Sequence, residues 1–229
     1  MTKTMSKTRR TSRPTSARTA SGSSISPLMI GIVIGIVVLV VGGLIVLGNL
    51  GNQPAAVDVS KYPVLGEATA PVTLLGYSDY RCPHCRDFDL EKLPQIEAEY
   101  INTGKVKYVV APFHLWPETT ILTEAAMCAG DQGKFFEYGQ KLFENQDTLG
   151  LTPSYLADLA ESTGLNRNTF SECLANGTHK NLVDEATRAA LNRGVTSTPT
   201  FFINNQRVNG NVPFEEFKSI FERELAKAQ

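Results

Sequence analysis

Apolar residues form one uninterrupted block near the start of the chain. Residues 28–48 carry no charged side chain across 21 positions, which matches the roughly 20 residues that a helix needs to cross the apolar core of a bilayer. The block therefore predicts a single transmembrane helix. A cleaved signal peptide is the alternative, with Pro54-Ala55-Ala56 as a small-residue cleavage site, but its apolar part would span only about 7–15 residues.

The segments on either side of this block are polar. Residues 1–27 contain six Lys or Arg and no acidic residue, and 13 of them are Ser or Thr, a composition typical of a disordered tail. Positive charge on one side of an apolar helix predicts that this side is cytoplasmic, so residues 49 onward would lie outside the cell. Residues 49–60 are polar and contain Pro and Gly, which indicates a linker, and residues 61–229 remain for one domain.

Downstream of residue 60 the pattern alternates between strands and a helix. Residues 70–77 and 106–113 are apolar, β-branched runs of strand length. Between them, Phe88, Leu90 and Leu93 mark an apolar helix face that Pro94 should kink. A strand, a helix and a second strand in this order predict a right-handed βαβ unit with parallel strands.

The second half of the domain is mostly helical. Apolar residues recur at helical spacing from about residue 118 to 193, which predicts an inserted helical subdomain. Residues 200–208 then predict a hairpin, and Pro213 begins a last helix whose apolar face carries Phe214, Phe217, Phe221 and Leu225. The predicted fold class is α/β, with helices covering a sheet.

Charge and cysteine content narrow the possible functions. Beyond the basic tail, 16 basic residues face 23 acidic ones, a net charge of −7, which argues against nucleic-acid binding. All four cysteines follow the apolar block, so they would lie in an oxidising compartment, where disulfides form.

Two of these cysteines form a Cys-x-x-Cys motif, Cys82-Pro83-His84-Cys85. A zinc site would need a second pair of ligands at suitable spacing, and the sequence offers none. Covalent haem attachment would need a His at position 86, which is Arg. A structural loop disulfide remains an alternative to a redox site.

The position of the motif favours redox chemistry. Disulfide exchange requires a thiolate, and Cys82 stands where a helix should begin, facing free backbone N–H groups. Pro83 fits the first helical position, and Cys85, three residues on, lies on the same face. A protonated His84 would add positive charge beside Cys82, whereas Asp79 would oppose it.

A second motif, Thr198-Pro199, precedes the apolar strand Thr200–Ile203. Proline removes a hydrogen-bond donor from a sheet, so it is tolerated mainly at a strand start or edge. A cis bond here would leave the backbone of Thr198 free to pair with a substrate strand. A trans proline at a strand start is the alternative.

Together these motifs resemble the DsbA-like thioredoxin-fold family over about residues 62–227. The resemblance implies a thioredoxin fold with a helical insertion, and an enzyme that introduces disulfides into reduced, unfolded exported proteins. The chain departs from the family in its predicted membrane anchor and in the additional cysteines, Cys128 and Cys173. The resemblance implies that Cys82 is the attacking cysteine and Cys85 the resolving cysteine, with Pro83 between them and His84 stabilising the thiolate. It further implies that Thr198-Pro199 is the cis-proline pair that faces them. It also implies re-oxidation by a quinone-linked membrane oxidase of the DsbB or vitamin K epoxide reductase type, with no cofactor besides the redox-active disulfide.

Several alternatives remain open at this stage. Disulfide isomerase or reductase activity would use the same site, while a tethered holdase or a copper-delivery module would be non-enzymatic. Cys128 and Cys173 lie in the predicted insertion and favour a structural disulfide, with free buried thiols or a redox relay as alternatives.

Overall fold

The structure, a computed structural model, describes residues 27–51 and 57–228. The chain forms two compact units, residues 1–53 and 54–229. In the first unit α1 spans Pro27–Gly51 and contains the apolar block, so the helix continues three residues into the predicted linker. The predicted tail before residue 27 lies outside the described residues. Side chains of α1 are described only in part, and over the described residues no helix is long and apolar enough to cross a membrane.

The second unit is built on a five-stranded sheet with strand order β1-β3-β2-β4-β5. The strands are β1 Val64–Leu65, β2 Val72–Tyr77, β3 Val106–Ala111, β4 Thr200–Ile203 and β5 Gln206–Asn209. β2 and β3 pair in parallel, which confirms the predicted βαβ unit, and β4 and β5 form the predicted hairpin. The two-residue strand β1 was not predicted, because so short a segment carries no periodic pattern.

The register of β2 against β4 determines where the functional loops meet. The strands are antiparallel, and Tyr77, the last residue of β2, pairs with Thr200, the first residue of β4. The loop leaving β2 and the loop entering β4 therefore lie at the same edge of the sheet. Residues more than 100 positions apart in sequence are brought together there.

The connection from β2 to β3 is helical but irregular. It contains α2, Pro83–Asp87, and α3, Leu93–Ile96, each followed by a π-helical turn, Phe88–Lys92 and Glu97–Ile101. Pro94 has no N–H to donate, and its ring would clash with the preceding turn of a regular α-helix. The wider π turn before it relieves that conflict, and the regular α-helix is interrupted close to the residue at which the sequence predicted a kink.

Five helices form the insertion, in agreement with the prediction for residues 118–193. They are α4 Thr120–Gly130, α5 Phe135–Glu144, α6 Pro153–Ser162, α7 Arg167–Ala175 and α8 Lys180–Asn192. The Thr152 hydroxyl accepts a hydrogen bond from Tyr155 N at 3.3 Å and caps α6. Gly194, with φ of 78°, ends α8 in the left-handed conformation that favours glycine.

The apolar core has separate clusters in the sheet and in the insertion. Phe88, Phe201 and Phe217 pack together between the sheet and the last helix, α9, which spans Phe214–Lys227. On α9, Phe217 and Phe221 are fully buried as predicted. Phe214 and Leu225 are only partly buried, because they lie towards the ends of the helix.

Cys128 of α4 and Cys173 of α7 form a disulfide, with the Cα atoms 5.8 Å apart. The structure therefore favours a structural disulfide over two free thiols. Closing a loop with a sequence separation of 45 residues contributes about 4 kcal/mol to the free energy of unfolding by the chain-entropy account. The disulfide holds together two helices of the insertion.

Candidate active site

Cys82 occupies the position immediately before α2. Its backbone is extended, with φ of −81° and ψ of 119°, and Pro83 takes the first helical position. The backbone N–H groups of His84 and Cys85 point towards the Cys82 sulfur and lower its pKa. The strand-loop-helix connection thus places this sulfur at the positive end of a helix, as its sequence position predicted.

The loop before β4 lies against the same sulfur. The Thr198–Pro199 peptide bond is cis, and Cys82 Sγ donates a hydrogen bond to Thr198 O at 3.3 Å. The Thr198 side chain lowers the pKa of Cys82 by hydrogen bonding, and its buried Oγ1 has no other hydrogen-bond partner among the described residues. The two motifs identified in the sequence therefore form one site.

The two cysteines differ strongly in acidity. The pKa of Cys82 is lowered to about 6, first by a hydrogen bond from the Cys85 thiol, then by Thr198 and the helix N–H groups, against the opposing effect of burial. Burial raises the pKa of Cys85 well above its ordinary value, and hydrogen bonding and charge interaction with Cys82 raise it further. Near neutral pH, Cys82 is the thiolate and Cys85 the thiol.

The side chain of His84 lies beside Asp87 at the surface of the site. Its Nδ1 lies 3.8 Å from Asp87 Oδ2, and 74% of the side chain is exposed. Among the groups that lower the pKa of Cys82, His84 contributes through its backbone N–H. The sequence placed His84 next to Cys82 but could not indicate the direction of the imidazole.

Asp79, expected from the sequence to oppose the thiolate, also organises the loop. It is 1% exposed and accepts hydrogen bonds from Arg81 N at 2.8 Å, Leu115 N at 2.7 Å and Thr119 Oγ1 at 2.6 Å. These bonds tie the loop before Cys82 to the segment that enters the helical insertion.

Gln146 is a further residue that supports the site and was not singled out from the sequence. It lies on a short 3₁₀ turn after α5, is buried, and its Nε2 donates to Tyr80 O at 2.8 Å and to Cys82 O at 3.1 Å. A glutamine in a polar connecting segment carries no sequence signal for this role, because its partners are 64 and 66 residues away.

A small cavity lies on the inner side of Cys85. Its volume is about 30 Å³, and its lining includes Cys85, Asp89, Tyr80 and Tyr108, which is enough space for about one water molecule. Burial, followed by the charge of Glu144, raises the pKa of Asp89 to about 7. A carboxyl group with a pKa of about 7 therefore lines the same cavity as the buried thiol.

Among the described residues, the group that could bind a metal ion lies outside the Cys82 site. It consists of Cys128, Cys173 and His179, which belong to α4, α7 and the residue before α8.

Comparisons with known proteins agree with this geometry. The thioredoxin family profile matches residues 58–223. Disulfide bond formation protein D of Bacillus subtilis is 30% identical over 183 residues, which cover 77% of this chain and 81% of that protein.

Solved structures with the same fold include two bacterial proteins. The crystal structure of oxidised BdbD from Bacillus subtilis superimposes with a TM-score of 0.67 at 28% identity, covering 76% of this chain and 96% of that one. Chlamydia trachomatis DsbA shares the fold, with a TM-score of 0.66 at 19% identity, over 74% of this chain and 93% of that one.

The reactivity of Cys82 towards alkylating reagents should follow the pKa that its surroundings determine. In the reduced chain we expect its alkylation by iodoacetamide to accelerate as pH rises and to reach half-maximal rate near pH 6, because only the thiolate reacts. Cys85→Ala removes the largest stabilising hydrogen bond and should move this midpoint upward, whereas Cys85→Ser keeps a donor and should move it less. Mass spectrometry of the labelled peptide measures each rate, and a wild-type midpoint above pH 8 would contradict the assignment.

Proposed function

The chain belongs to the thioredoxin family and is a DsbA-like thiol-disulfide oxidoreductase, and on this basis we propose that its Cys82-Cys85 pair introduces disulfides into exported proteins. The observation that carries the proposal is the stabilised Cys82 thiolate. A stabilised thiolate favours the reduced form of the enzyme, which makes its disulfide a stronger oxidant. The same interactions make Cys82 the better leaving group.

The two cysteines then have distinct roles. A substrate thiolate attacks Cys82 Sγ in the enzyme disulfide, Cys85 leaves and takes up a proton, and a mixed disulfide joins the substrate to Cys82. The second substrate thiolate attacks the substrate sulfur of this bond and releases Cys82 as a thiolate. Two electrons pass from the substrate dithiol to the enzyme, and attack by Cys85 on the mixed disulfide would run the first step backwards.

The Thr198-Pro199 segment supports this chemistry at the substrate side. The proline cannot donate a backbone hydrogen bond, and the carbonyl of Thr198 already faces Cys82 at 3.3 Å from its sulfur. In the enzyme disulfide Cys82 has no S–H to donate, so the Thr198 carbonyl is free to accept a backbone hydrogen bond from an extended substrate segment, whose cysteine would then lie at Cys82 independently of its other side chains. Such binding suits an enzyme with many unfolded substrates.

The proposal includes attachment to the membrane. Residues 28–48 carry no charge, and large apolar side chains of α1 are exposed, among them Leu28, Leu39 and Leu44. A bilayer would cover this apolar surface, with the basic N-terminus in the cytoplasm and the catalytic unit outside. A quinone-linked membrane oxidase of the DsbB or vitamin K epoxide reductase type would restore the disulfide, and no other cofactor is required.

Trapping of the intermediate tests the enzymatic proposal. In a Cys85→Ser chain we expect the Cys82 thiolate to attack disulfides of exported proteins, to release one substrate thiolate and to remain joined to the protein as a mixed disulfide. This adduct should accumulate because the Cys85 thiol, which would attack Cys82 Sγ and release the substrate, is absent. Non-reducing electrophoresis detects it as a reducible adduct. Cys82→Ser is the matched control and should form none. Equal adduct formation in both variants, or activity in Cys82→Ser, would rule out Cys82 as the attacking cysteine.

The direction of transfer is set by the reduction potential of the pair. For an oxidase we expect a value less negative than about −180 mV, the potential of protein disulfide isomerase. Equilibration with glutathione buffers, read by alkylation of Cys82 and Cys85, gives this value. A potential near the roughly −270 mV of thioredoxin would assign reductase activity instead, and no thiol exchange at all would favour a holdase or copper carrier.

Membrane attachment has its own test. The full chain should stay in the membrane pellet after alkaline carbonate extraction, whereas Val38→Arg with Val41→Arg should release it, because charges at the centre of a span are costly. Ser26→Arg lies outside the apolar block and serves as the control. Release of the unaltered chain would overturn the anchor.

A further inference from the structure

A second group of reactive side chains lies in the helical insertion. We call it the insertion cluster; it consists of Cys128, Asp131, Cys173 and His179. Ligand atoms of both cysteines and the histidine lie within 4.8 Å of one another. His179 Nε2 donates to Asp131 Oδ2 at 2.8 Å, and the same oxygen lies 3.6 Å from Cys173 Sγ.

The packing of three helices fixes these side chains in place. Cys128 lies in α4, and Asp131 is the first residue after this helix. The backbone N–H of Asp131 donates to Met127 O at 3.1 Å. Cys173 lies in α7, and His179 immediately precedes α8. Because α4 contacts both other helices, the cluster is assembled by the fold and does not depend on a flexible loop.

A purely structural disulfide does not need polar neighbours of this kind. Its sulfurs are weak hydrogen-bond acceptors, and burial against apolar side chains is sufficient. Here a carboxylate and an imidazole, bonded to each other, converge on the Cys173 sulfur instead. The simpler explanation is that Asp131 and His179 only join α4 to α8, and the two explanations predict different behaviour after reduction.

Two thiolates, one imidazole and one carboxylate are a suitable ligand set for zinc. Structural zinc sites are tetrahedral, with Zn–S near 2.3 Å and Zn–N near 2.0–2.1 Å, so neighbouring ligand atoms are roughly 3.3–3.8 Å apart. The Asp131 and Cys173 atoms already have such a spacing. The Cα separation of 5.8 Å between the cysteines allows both sulfurs to contact one ion.

The cluster is also accessible. Asp131 and His179 line a surface cavity of about 420 Å³, the side chain of Asp131 is 48% exposed and that of His179 is 15% exposed. A hydrated ion can therefore approach from solvent, while Cys128, which is 1% exposed, provides the buried side of the site.

We propose that reduction of the Cys128–Cys173 disulfide converts the insertion cluster into a zinc site. A dithiol supplies two electrons and two protons, becomes a disulfide, and leaves two thiols on the enzyme. Zinc then displaces both thiol protons, the neutral His179 imidazole carries its proton on Nδ1 and binds through Nε2, and Asp131 completes the tetrahedron. Disulfide and metal exclude each other, so the site is gated by redox state and is separate from the Cys82 pair.

The test uses the full chain in detergent with Cys82→Ser and Cys85→Ser, so that the insertion cluster holds the remaining thiols. After reduction and anaerobic desalting, one Co²⁺ per chain should bind and give the absorption bands of tetrahedral thiolate coordination, and Zn²⁺ should abolish them. The same protein with its disulfide intact should bind none. His179→Gln should weaken binding at least tenfold, and His114→Gln, a histidine outside the cluster, should not change it.

Protection of the thiols gives a second readout. Zn²⁺ should slow alkylation of Cys128 and Cys173 in the reduced chain and have no such effect with His179→Gln. If reduction unfolds the insertion, Zn²⁺ must restore its near-ultraviolet circular dichroism. No metal binding after reduction, equal binding by the oxidised chain, no recovery of folding, or equal affinities for the two histidine variants would each overturn the proposal.

Discussion

The site depends on the stabilisation of one negative charge, the thiolate of Cys82. Backbone N–H groups at the start of α2, the Cys85 thiol and Thr198 all contribute. Each contribution requires a different feature of the fold. The helix must begin at Pro83, the two cysteines must share one face, and the loop entering β4 must lie against the loop leaving β2. The antiparallel pairing of Tyr77 with Thr200 meets the last requirement.

The loop that carries Cys82 is held from two sides by buried polar groups. Asp79 binds the segment that enters the insertion, and Gln146 binds two backbone carbonyls of the loop. Buried polar groups are costly unless they are paired, so these contacts also specify one loop conformation. The helical insertion therefore does more than cover the sheet, since it fixes the position of the reactive sulfur.

Much of this could be predicted from local pattern. The βαβ unit, the inserted helices, the hairpin and the position of Cys82 before a helix all follow from periodicity and from Gly and Pro positions. The direction of His84 and the roles of Asp79 and Gln146 could not be predicted, because they depend on partners that only tertiary packing brings close. β1 was missed because two residues are too few to show alternation.

The acidity of Cys82 can be compared with the oxidising power expected of the site. A pKa lowered from 9.0 to about 6 stabilises the reduced, folded chain fully above pH 9, and this stabilisation is lost as pH falls through 6. At pH 7 about one pKa unit of the shift is realised, or about 1.4 kcal/mol, which corresponds to about 30 mV.

Thioredoxin and DsbA differ by roughly 150 mV, so thiolate stabilisation of this size accounts for only part of such a difference at neutral pH. The raised pKa of Cys85 adds nothing there, because that thiol is protonated whether folded or unfolded. The proposed oxidase activity would therefore also require interactions that distinguish the disulfide from the dithiol without titrating. Asp79, Gln146 and Thr198 hold the loop that carries Cys82 in one conformation, and a loop held in this way can favour the dithiol over the disulfide by geometry alone.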